Sequence, residues 1–475
     1  MKYDFIHSTA MMPFPDPKAL HVAVIGGGAS GVLIASQLLR LDSRIRVTLI
    51  EQRNMLGCGV AYSTTDPDHL LNTRVGNMSA FPDQPDHFRQ WLHDNRPDED
   101  GSADSFVSRS TYGEYMSGLL RQWREQPEGG RLRCIRATCI RLQDREGGVT
   151  AHLSDGQTVL AHLAVLATGH ALPASDPDSP LTGAWEFDGD LPRDGRAIII
   201  GSGLSMVDTA ISLLRSGHRG EIVAISRHGR LPHVHLAGTP LAISADEVPF
   251  GAPMSFLVSW LRAVVRRAEE SGGTWRDAVD GLRPHLTRIW RSLPLAERAR
   301  FLRHAASLWE IHRHRLPPES ARPIRAALKT GQMRLVPGRV IEAQSGADGR
   351  PQAVIRPRGG QRHQIIPADR ILDCRGIRRD PETHASPLVA GLLRDGHARV
   401  DALRLGLDVA ETSALIGRDG VPSQTIFALG PVSRAEFWEI TAIPDIRDQA
   451  QRLAQRIVET QAEVLAGSGK ARIVE

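Results

Sequence analysis

Two glycine clusters carry the most specific chemical information in the sequence. Residues 21–25, HVAVI, read as a buried parallel strand that runs into Gly26, Gly28 and Gly31 at G-x-G-x-x-G spacing. Apolar residues at helical spacing follow over 32–40, then a second strand over 46–50 that ends in Glu51. Each part has a task. Gly26 permits the tight turn, Gly28 lets a pyrophosphate approach the backbone, and Gly31 lets the helix lie close to the strand. Ser30 stands in the first helical turn, where free N–H groups and a partial positive charge favour phosphate. Glu51, followed by Gln52 and Arg53, is placed to meet the ribose of an adenosine.

The second cluster repeats the plan with two departures. A strand over 196–200 leads into Gly201, Ser202, Gly203, Leu204 and Ser205, then a helix through 214 and a strand over 221–225. Met206 occupies the third glycine position, so the helix is expected to sit further from its strand. The second strand ends in Ser226, Arg227 and His228 instead of an acid. A carboxylate there would repel a 2′-phosphate, whereas an arginine grips it by charge-assisted hydrogen bonds. This half therefore favours NADPH over NADH. Two dinucleotide motifs in one chain imply a redox pair, FAD and the hydride donor NADPH.

The intervening residues must position these loops. Strand-like stretches over 131–142, 149–153 and 158–166, with a turn at Ser154-Asp-Gly156, lead into LATGH at 166–170. Stretches over 332–341, 353–356 and 364–366 lead likewise into RILDCRG at 370–376. Each reads as a small β-meander returning to a parallel sheet. Residues 250–325 are rich in Arg, Leu, Ala and Trp at helical spacing and read as a helical insertion. Its last helix is expected over 301–315, stopped by Pro317 and Pro318. There Arg313 and Arg315 are candidates for an anion site, for an NADPH phosphate or an acidic substrate. His312 and His314 point in different directions on a helix, so no metal is expected. The fold class is α/β, with two dinucleotide-binding (Rossmann-like) domains, the second inserted in the first, and a helical insertion. The expected boundaries are 1–193 and 371–475 for the FAD-binding domain and 194–370 for the NADPH-binding domain.

Composition sets the limits. The 475 residues are 41% hydrophobic and 24% charged, which excludes a wholly disordered chain. Basic residues exceed acidic ones by only 58 − 54 = 4, and aromatics are 5%, so nucleic-acid binding is not expected. No run is long and apolar enough to span a membrane, and residues 1–20 read as a short arm without an apolar signal core. A cytoplasmic protein is expected. Cys58, Cys134, Cys139 and Cys374 form no C-x-x-C pair, which removes the dithiol of a disulfide reductase and the thiols of a zinc site.

These motifs resemble those of bacterial FAD/NAD(P)-binding flavoproteins, a largely uncharacterised family related to the class B flavin monooxygenases and N-hydroxylases. The resemblance runs from residue 21 to about 458. It rests on VIGGGASG (24–31), GCGVAY (57–62), HLLNTRVGNMSAFP (69–82), LATGH, IIIGSGLSMVD (198–208), HRHR (312–315), and 429–441. It implies that Gly26, Gly28 and Gly31 hold the FAD pyrophosphate and Glu51 its ribose. The segment from Val60 to Asn77 would pass the isoalloxazine, with Asn72 as a polar contact, and Gly59 would also bind the cofactor. Thr168 and Gly169 would touch the adenosine half, and Gly376 would also serve FAD. Gly430 and Pro431 would lie by the flavin near a helix N-terminus. Residues 201–205, Ser226 and Arg227 would hold NADPH, while Asn77 and Trp438 join Arg313 and Arg315 as substrate candidates. The F-x-G-x3-H fingerprint of the flavin-containing and Baeyer–Villiger monooxygenases is absent, and WEFD stands at 185–188 instead.

The expected activity is NADPH- and O2-dependent monooxygenation of a small polar metabolite through a flavin C4a-(hydro)peroxide. No catalytic side chain is singled out, because a flavin carries the chemistry itself. The alternatives are an NADPH-dependent reductase acting by direct hydride transfer, an electron-transfer partner, and a non-enzymatic flavin-binding sensor or scaffold.

Overall fold

Short branched runs such as VAVI at 22–25 and AIII at 197–200 are buried on both faces, as strands inside a covered parallel sheet must be. The computed structural model describes residues 19–126, 130–170, 178–187, 189–376 and 380–470, with side chains to 460. All but the last two residues of the expected N-terminal arm lie outside that set. The strands in chain order are β1 (Leu20–Ile25), β2 (Ile45–Glu51), β3 (Leu132–Arg136), β4 (Cys139–Arg145), β5 (Gly148–Leu153), β6 (Thr158–Ala161), β7 (Leu163–Leu166), β8 (Leu181–Gly183), β9 (Ala197–Ile200), β10 (Ile222–Ser226), β11 (Met333–Ser345), β12 (Pro351–Pro357), β13 (Gln364–Pro367), β14 (Arg370–Asp373), β15 (Ala414–Ile416) and β16 (Pro422–Ala428).

The chain divides into two compact units. The first runs to residue 64, resumes over 73–172 and again from 378. Its main sheet has the order β15-β16-β7-β1-β2-β3, parallel except at β15–β16, and β4-β5-β6 form a small antiparallel sheet. The second unit comprises 65–72 and 173–377, around a sheet of order β13-β12-β11-β10-β9-β14-β8. A helix joins the two motif strands in each unit, Ala29–Leu41 between β1 and β2, and Leu204–Arg215 between β9 and β10.

The architecture is the expected one, and the boundaries differ. The second unit begins at 173 instead of 194 because β8 pairs with β14 at the edge of its sheet. It ends at 377 instead of 370 because β14 pairs with β9. Residues 131–142 are two strands: β3 extends the main sheet beside β2, and β4 opens the small one. In the second unit the single long β11 performs both tasks, parallel to β10 at its start and antiparallel to β12 afterwards. The helical insertion starts with Met254–Glu270 and ends with Ala306–Arg313, earlier than expected. The next helix, Pro318–Thr330, instead packs Ala321, Ile324 and Ala327 into the core of the second unit. The helix expected over 301–315 is two, Leu295–His304 and Ala306–Arg313, separated at Ala305.

Candidate functional site

Backbone closes the first glycine loop where a Cβ would stand on Gly26, Gly28 or Gly31, and the Glu51 and Leu56 side chains close it at Gly27. A Cβ on Gly26, whose φ is +105°, would lie 2.4 Å from the Ala167 carbonyl oxygen. One on Gly31 would lie 1.8 Å from the Gly26 carbonyl oxygen. Gly28 is the N-cap of the helix Ala29–Leu41, with no side-chain cap and no acid in the first turn. By contrast, Ser108 and Ser386 cap their helices with side-chain oxygens. The orphan N–H groups of this helix are therefore free for an anion. Across the loop, Gly28 faces Gly59, with a Cβ on Gly28 only 3.3 Å from the Gly59 Cα. Thr168 and Gly169 follow β7 after Ala167, and space around Gly169 is open. The geometry is a cradle for a pyrophosphate, and these residues fit FAD.

Glu51 is buried and fixed. One carboxylate oxygen accepts from the Gly27 N–H at 2.7 Å and the other from the Arg53 N–H at 2.8 Å. Each oxygen keeps a further lone pair for a ribose hydroxyl. Arg53 braces the turn by donating to the Gly59 carbonyl at 2.9 Å, and Gln52 accepts from the Thr138 hydroxyl. Val60 follows the turn and is half-buried. Burial first, and the Arg434 guanidinium second, bring the His170 imidazole down to about 4, so it is neutral beside the cradle.

Distant chain completes this site. A Cβ on Gly430, whose φ is +72°, would lie 2.4 Å from the Ser30 hydroxyl oxygen. Gly430 thus reaches the first helical turn, and with Pro431 it opens a short 3-10 turn, Gly430–Ser433, instead of an α-helix. Buried Gln449 holds that turn. Its Oε1 accepts from the Gly430 N–H at 2.9 Å, and its Nε2 donates to the Ser413 and Ser433 hydroxyls, each at 3.1 Å. Gln449 escaped the sequence reading, as did Gly27, whose carbonyl accepts from the Gly57 N–H at 2.8 Å, because side-chain networks and backbone crossings leave no local pattern. Only the triple glycine at 26–28 was a signal for Gly27. We expect Gln449→Leu to cost about 1–3 kcal/mol by orphaning buried partners. Thermal melts with and without added FAD check this, and the variant should also release flavin more readily.

The second loop has the same build. The Gly201 N–H donates to the Ile225 carbonyl at 2.9 Å, as the Gly26 N–H does to Ile50 at 2.8 Å. A Cβ on Gly201 would lie 2.5 Å from the Cys374 carbonyl oxygen. Gly203 is an uncapped helix start, again with no acid in the first turn. Met206 is fully buried among Ala197, Ile199 and Leu372, filling the helix–sheet space that Gly31 leaves closed in the first unit. Ser202, Leu204 and Ser205 are half-buried along the loop. Ser226 accepts from the Gly229 N–H, and Arg227 is exposed beside it. Partial burial, then Arg358, Arg227 and Arg230, lower the His228 imidazole, which identifies a basic cluster at the end of β10. Arg230 and Arg358 were not foreseen. Arg358 arrives from beyond β12, far away in sequence.

One assignment is corrected. Gly376 follows β14 as Gly169 follows β7, and β14 flanks β9 as β7 flanks β1. It therefore lies in the second unit beside the Gly201 loop, and open space surrounds it.

Of the substrate candidates, Asn77 and Trp438 fall in the first unit and Arg313 and Arg315 in the second. Asn77 is exposed in the first unit, where its carbonyl accepts from Arg447. Asn72, expected to be a contact of the isoalloxazine and not of substrate, falls in the second unit, where its carbonyl is hydrogen-bonded to His235 at 3.0 Å. Arg315 is 2% exposed and pairs with Asp280, so it serves the helical insertion as a buried structural cation. Arg313 is half-buried at the end of its helix. Trp438 is buried in the core under the Arg434 guanidinium, 4.8 Å from its ring centre, and offers no open platform.

Residues 23–171 match the FAD-NAD(P)-binding family. A curated relative, the Uncharacterized protein YdhS of Escherichia coli (strain K12), is 22% identical over 219 residues, 40% of this chain and 39% of its own length. The solved structure of DfoA, the cadaverine monooxygenase of the desferrioxamine pathway of Erwinia amylovora, matches 92% of this chain and 94% of its own, with a TM-score of 0.64 and 13% identity. The ornithine hydroxylase PvdA of Pseudomonas aeruginosa matches 93% of this chain and 99% of its own, with a TM-score of 0.62 and 15% identity. At these identities the likeness is one of fold. Among the described residues, no helix is long and apolar enough to cross a membrane.

Proposed function

We propose that this chain, with its FAD-NAD(P)-binding domain over 23–171, is an FAD-dependent, NADPH-using monooxygenase of a small polar metabolite. The observation that carries this is the pair of like-built glycine cradles in a chain whose four cysteines are all buried and unbridged. Burial pushes the Cys134 thiol up to about 11 and those of Cys139 and Cys374 up to about 12, and it raises Cys58 too. None of them is a nucleophilic thiolate near neutral pH. Electrons delivered by NADPH must then leave directly for O2 or a small molecule. Because the similar folds named above act on ornithine and cadaverine, a small amine is the first substrate class to test.

FAD, when bound, supplies the transfer of two electrons from the NADPH hydride to O2, so that one oxygen atom reaches the substrate and the other leaves as water. The chain's residues bind and orient. Gly26, Gly28 and Gly31 would admit the FAD pyrophosphate, Glu51 would fix its ribose, and Gly59 and Val60 would bound the cradle opposite. Gly201 to Ser205 with Gly376 would receive the NADPH pyrophosphate, and Ser226 and Arg227 its 2′-phosphate.

The test is NADPH oxidation with a panel of small amines, with isotope-labelled O2 and product mass spectrometry. Label in the product is expected. Equal product formation without O2 would replace this reading with direct hydride transfer. A native-state thiol titration near neutral pH is expected to leave Cys134, Cys139 and Cys374 unmodified, and replacing each by Ser should leave turnover intact. Rapid labelling of any of them, or loss of turnover, would revive a thiol-relay reductase.

A further inference from the structure

The sequence holds only four tyrosines, and three of them lie in one line of touching rings in the first unit. Tyr62 meets Tyr112 edge-on with ring centres 5.0 Å apart, Tyr112 meets Tyr115 at 5.5 Å, and Tyr115 meets Trp91 at 5.6 Å. One end lies at the cofactor cradle, since Tyr62 is three residues beyond Gly59 and its N–H donates to the Cys58 carbonyl. The other end is the partly exposed Trp91, on the helix His87–Asn95. Packing alone does not call for this choice of residue. Phe88 contacts both Tyr112 and Tyr115 in the same cluster and brings no hydroxyl to desolvate.

The hydroxyl partners differ along the line. Tyr112 donates to the Met78 carbonyl at 3.0 Å, and an amide carbonyl does not take up a proton. The Tyr115 oxygen accepts from the Ala80 N–H at 3.0 Å and lies 2.8 Å from Nδ1 of His87. The Ala80 N–H takes up a lone pair of that oxygen, which leaves the single O–H of Tyr115 to donate to the imidazole nitrogen. Burial and the Arg40 guanidinium, against a smaller pull from Asp83, hold the His87 imidazole below its ordinary value, so it is neutral and able to accept.

We propose that Tyr62, Tyr112, Tyr115 and Trp91 form a one-electron relay that carries oxidising equivalents from the flavin cradle to the protein surface, with His87 as its proton acceptor. The proposal rests on the FAD-oxygenase reading for its source of oxidant, a one-electron oxidant generated at the cofactor by reactive oxygen or by light. That oxidant takes one electron from Tyr62, which is refilled through Tyr112 from Tyr115. Tyr115 loses the electron and passes its phenolic proton to His87 Nδ1. Trp91 then returns an electron to Tyr115, the proton moves back from His87, and the oxidised indole is left where a dissolved reductant such as a small thiol restores it. The relay would spare the cradle from oxidation when turnover misfires.

The experiment is a blue-light flash on the FAD-loaded protein without oxygen, read by transient absorption and by electron paramagnetic resonance of trapped radicals. Wild type should give both tyrosyl and tryptophanyl signals. Trp91→Phe, a conservative change at a partly exposed ring, should abolish the tryptophanyl signal and prolong the tyrosyl one. Tyr112→Phe should lower the yield of both distal radicals several-fold. Bound flavin with radical yields and lifetimes unchanged in both variants would overturn the relay alone. Failure to retain or take up FAD would overturn the FAD reading and the relay with it.

Discussion

Gly31→Ala is expected to leave the protein without stably bound FAD. The new methyl would lie 1.8 Å from the Gly26 carbonyl oxygen and 2.9 Å from its carbon, and both are backbone atoms. No rotamer relieves such a clash, so the start of the helix Ala29–Leu41 must move off the strand. That displaces the uncapped N–H groups and the Ser30 hydroxyl, against which Gly430 is packed. Overpacking of this kind costs about 1–3 kcal/mol, and more where backbone meets backbone. If that cost falls on the bound geometry, affinity drops by about tenfold to a hundredfold. Flavin content after purification and titration of the apoprotein measure it. Gly118→Ala is the control, because a Cβ there meets nothing within 4 Å. NADPH binding, proposed for the second unit, should survive in both variants. FAD affinity unchanged in Gly31→Ala would mean that this loop is not the FAD cradle.

Arg227→Glu is expected to weaken NADPH binding by about a hundredfold, which corresponds to about 2.7 kcal/mol. A charge-assisted hydrogen bond to phosphate contributes about 1.5–3 kcal/mol, and the new carboxylate adds repulsion. Arg227 is exposed at the end of β10, with Arg230 and Arg358 near the same His228. Those two guanidiniums should retain some grip, so Arg227→Glu combined with Arg358→Ala should lose more. The specific signature is selectivity. NADH lacks the 2′-phosphate and its affinity should change little, while FAD content should not change. Titrations of both dinucleotides, repeated at two salt concentrations, separate a phosphate contact from general charge. Equal losses for NADH and NADPH would remove Arg227 from the 2′-phosphate site.

The parts of the site that were legible in the sequence are those built by contiguous chain. Gly26 to Gly31 and Gly201 to Ser205 sit between a buried strand and an amphipathic helix, so spacing alone placed them on a turn at a helix start. Glu51 and Arg227 were readable by position, Glu51 as the last residue of β2 and Arg227 as the first after β10. What spacing did not carry depends on distant segments. Gln449 reaches Gly430 from a helix that shows no motif. The HRHR run at 312–315 is basic enough to suggest an anion site, and only folding shows Arg315 buried against Asp280. Gly376 was grouped with the first unit because β14 looked like the return to the first sheet. Its pairing with β9, which depends on residues about 170 positions earlier, settled the matter. The boundary at 173 was missed for a related reason, since β8 is a three-residue edge strand with no apolar signature of its own.

The most direct test of the central claim is rapid mixing of the FAD-loaded protein with NADPH in the absence of oxygen, followed by aerated buffer with and without a small amine. Flavin absorbance should bleach promptly with NADPH and far more slowly with NADH at equal concentration. Oxygen should then restore it through a transient species spectrally distinct from both the reduced and the oxidised flavin, and the amine should hasten its decay. A flavin that NADPH does not bleach, or one that reoxidises in a single step unaffected by every amine tried, would contradict an NADPH-dependent monooxygenase.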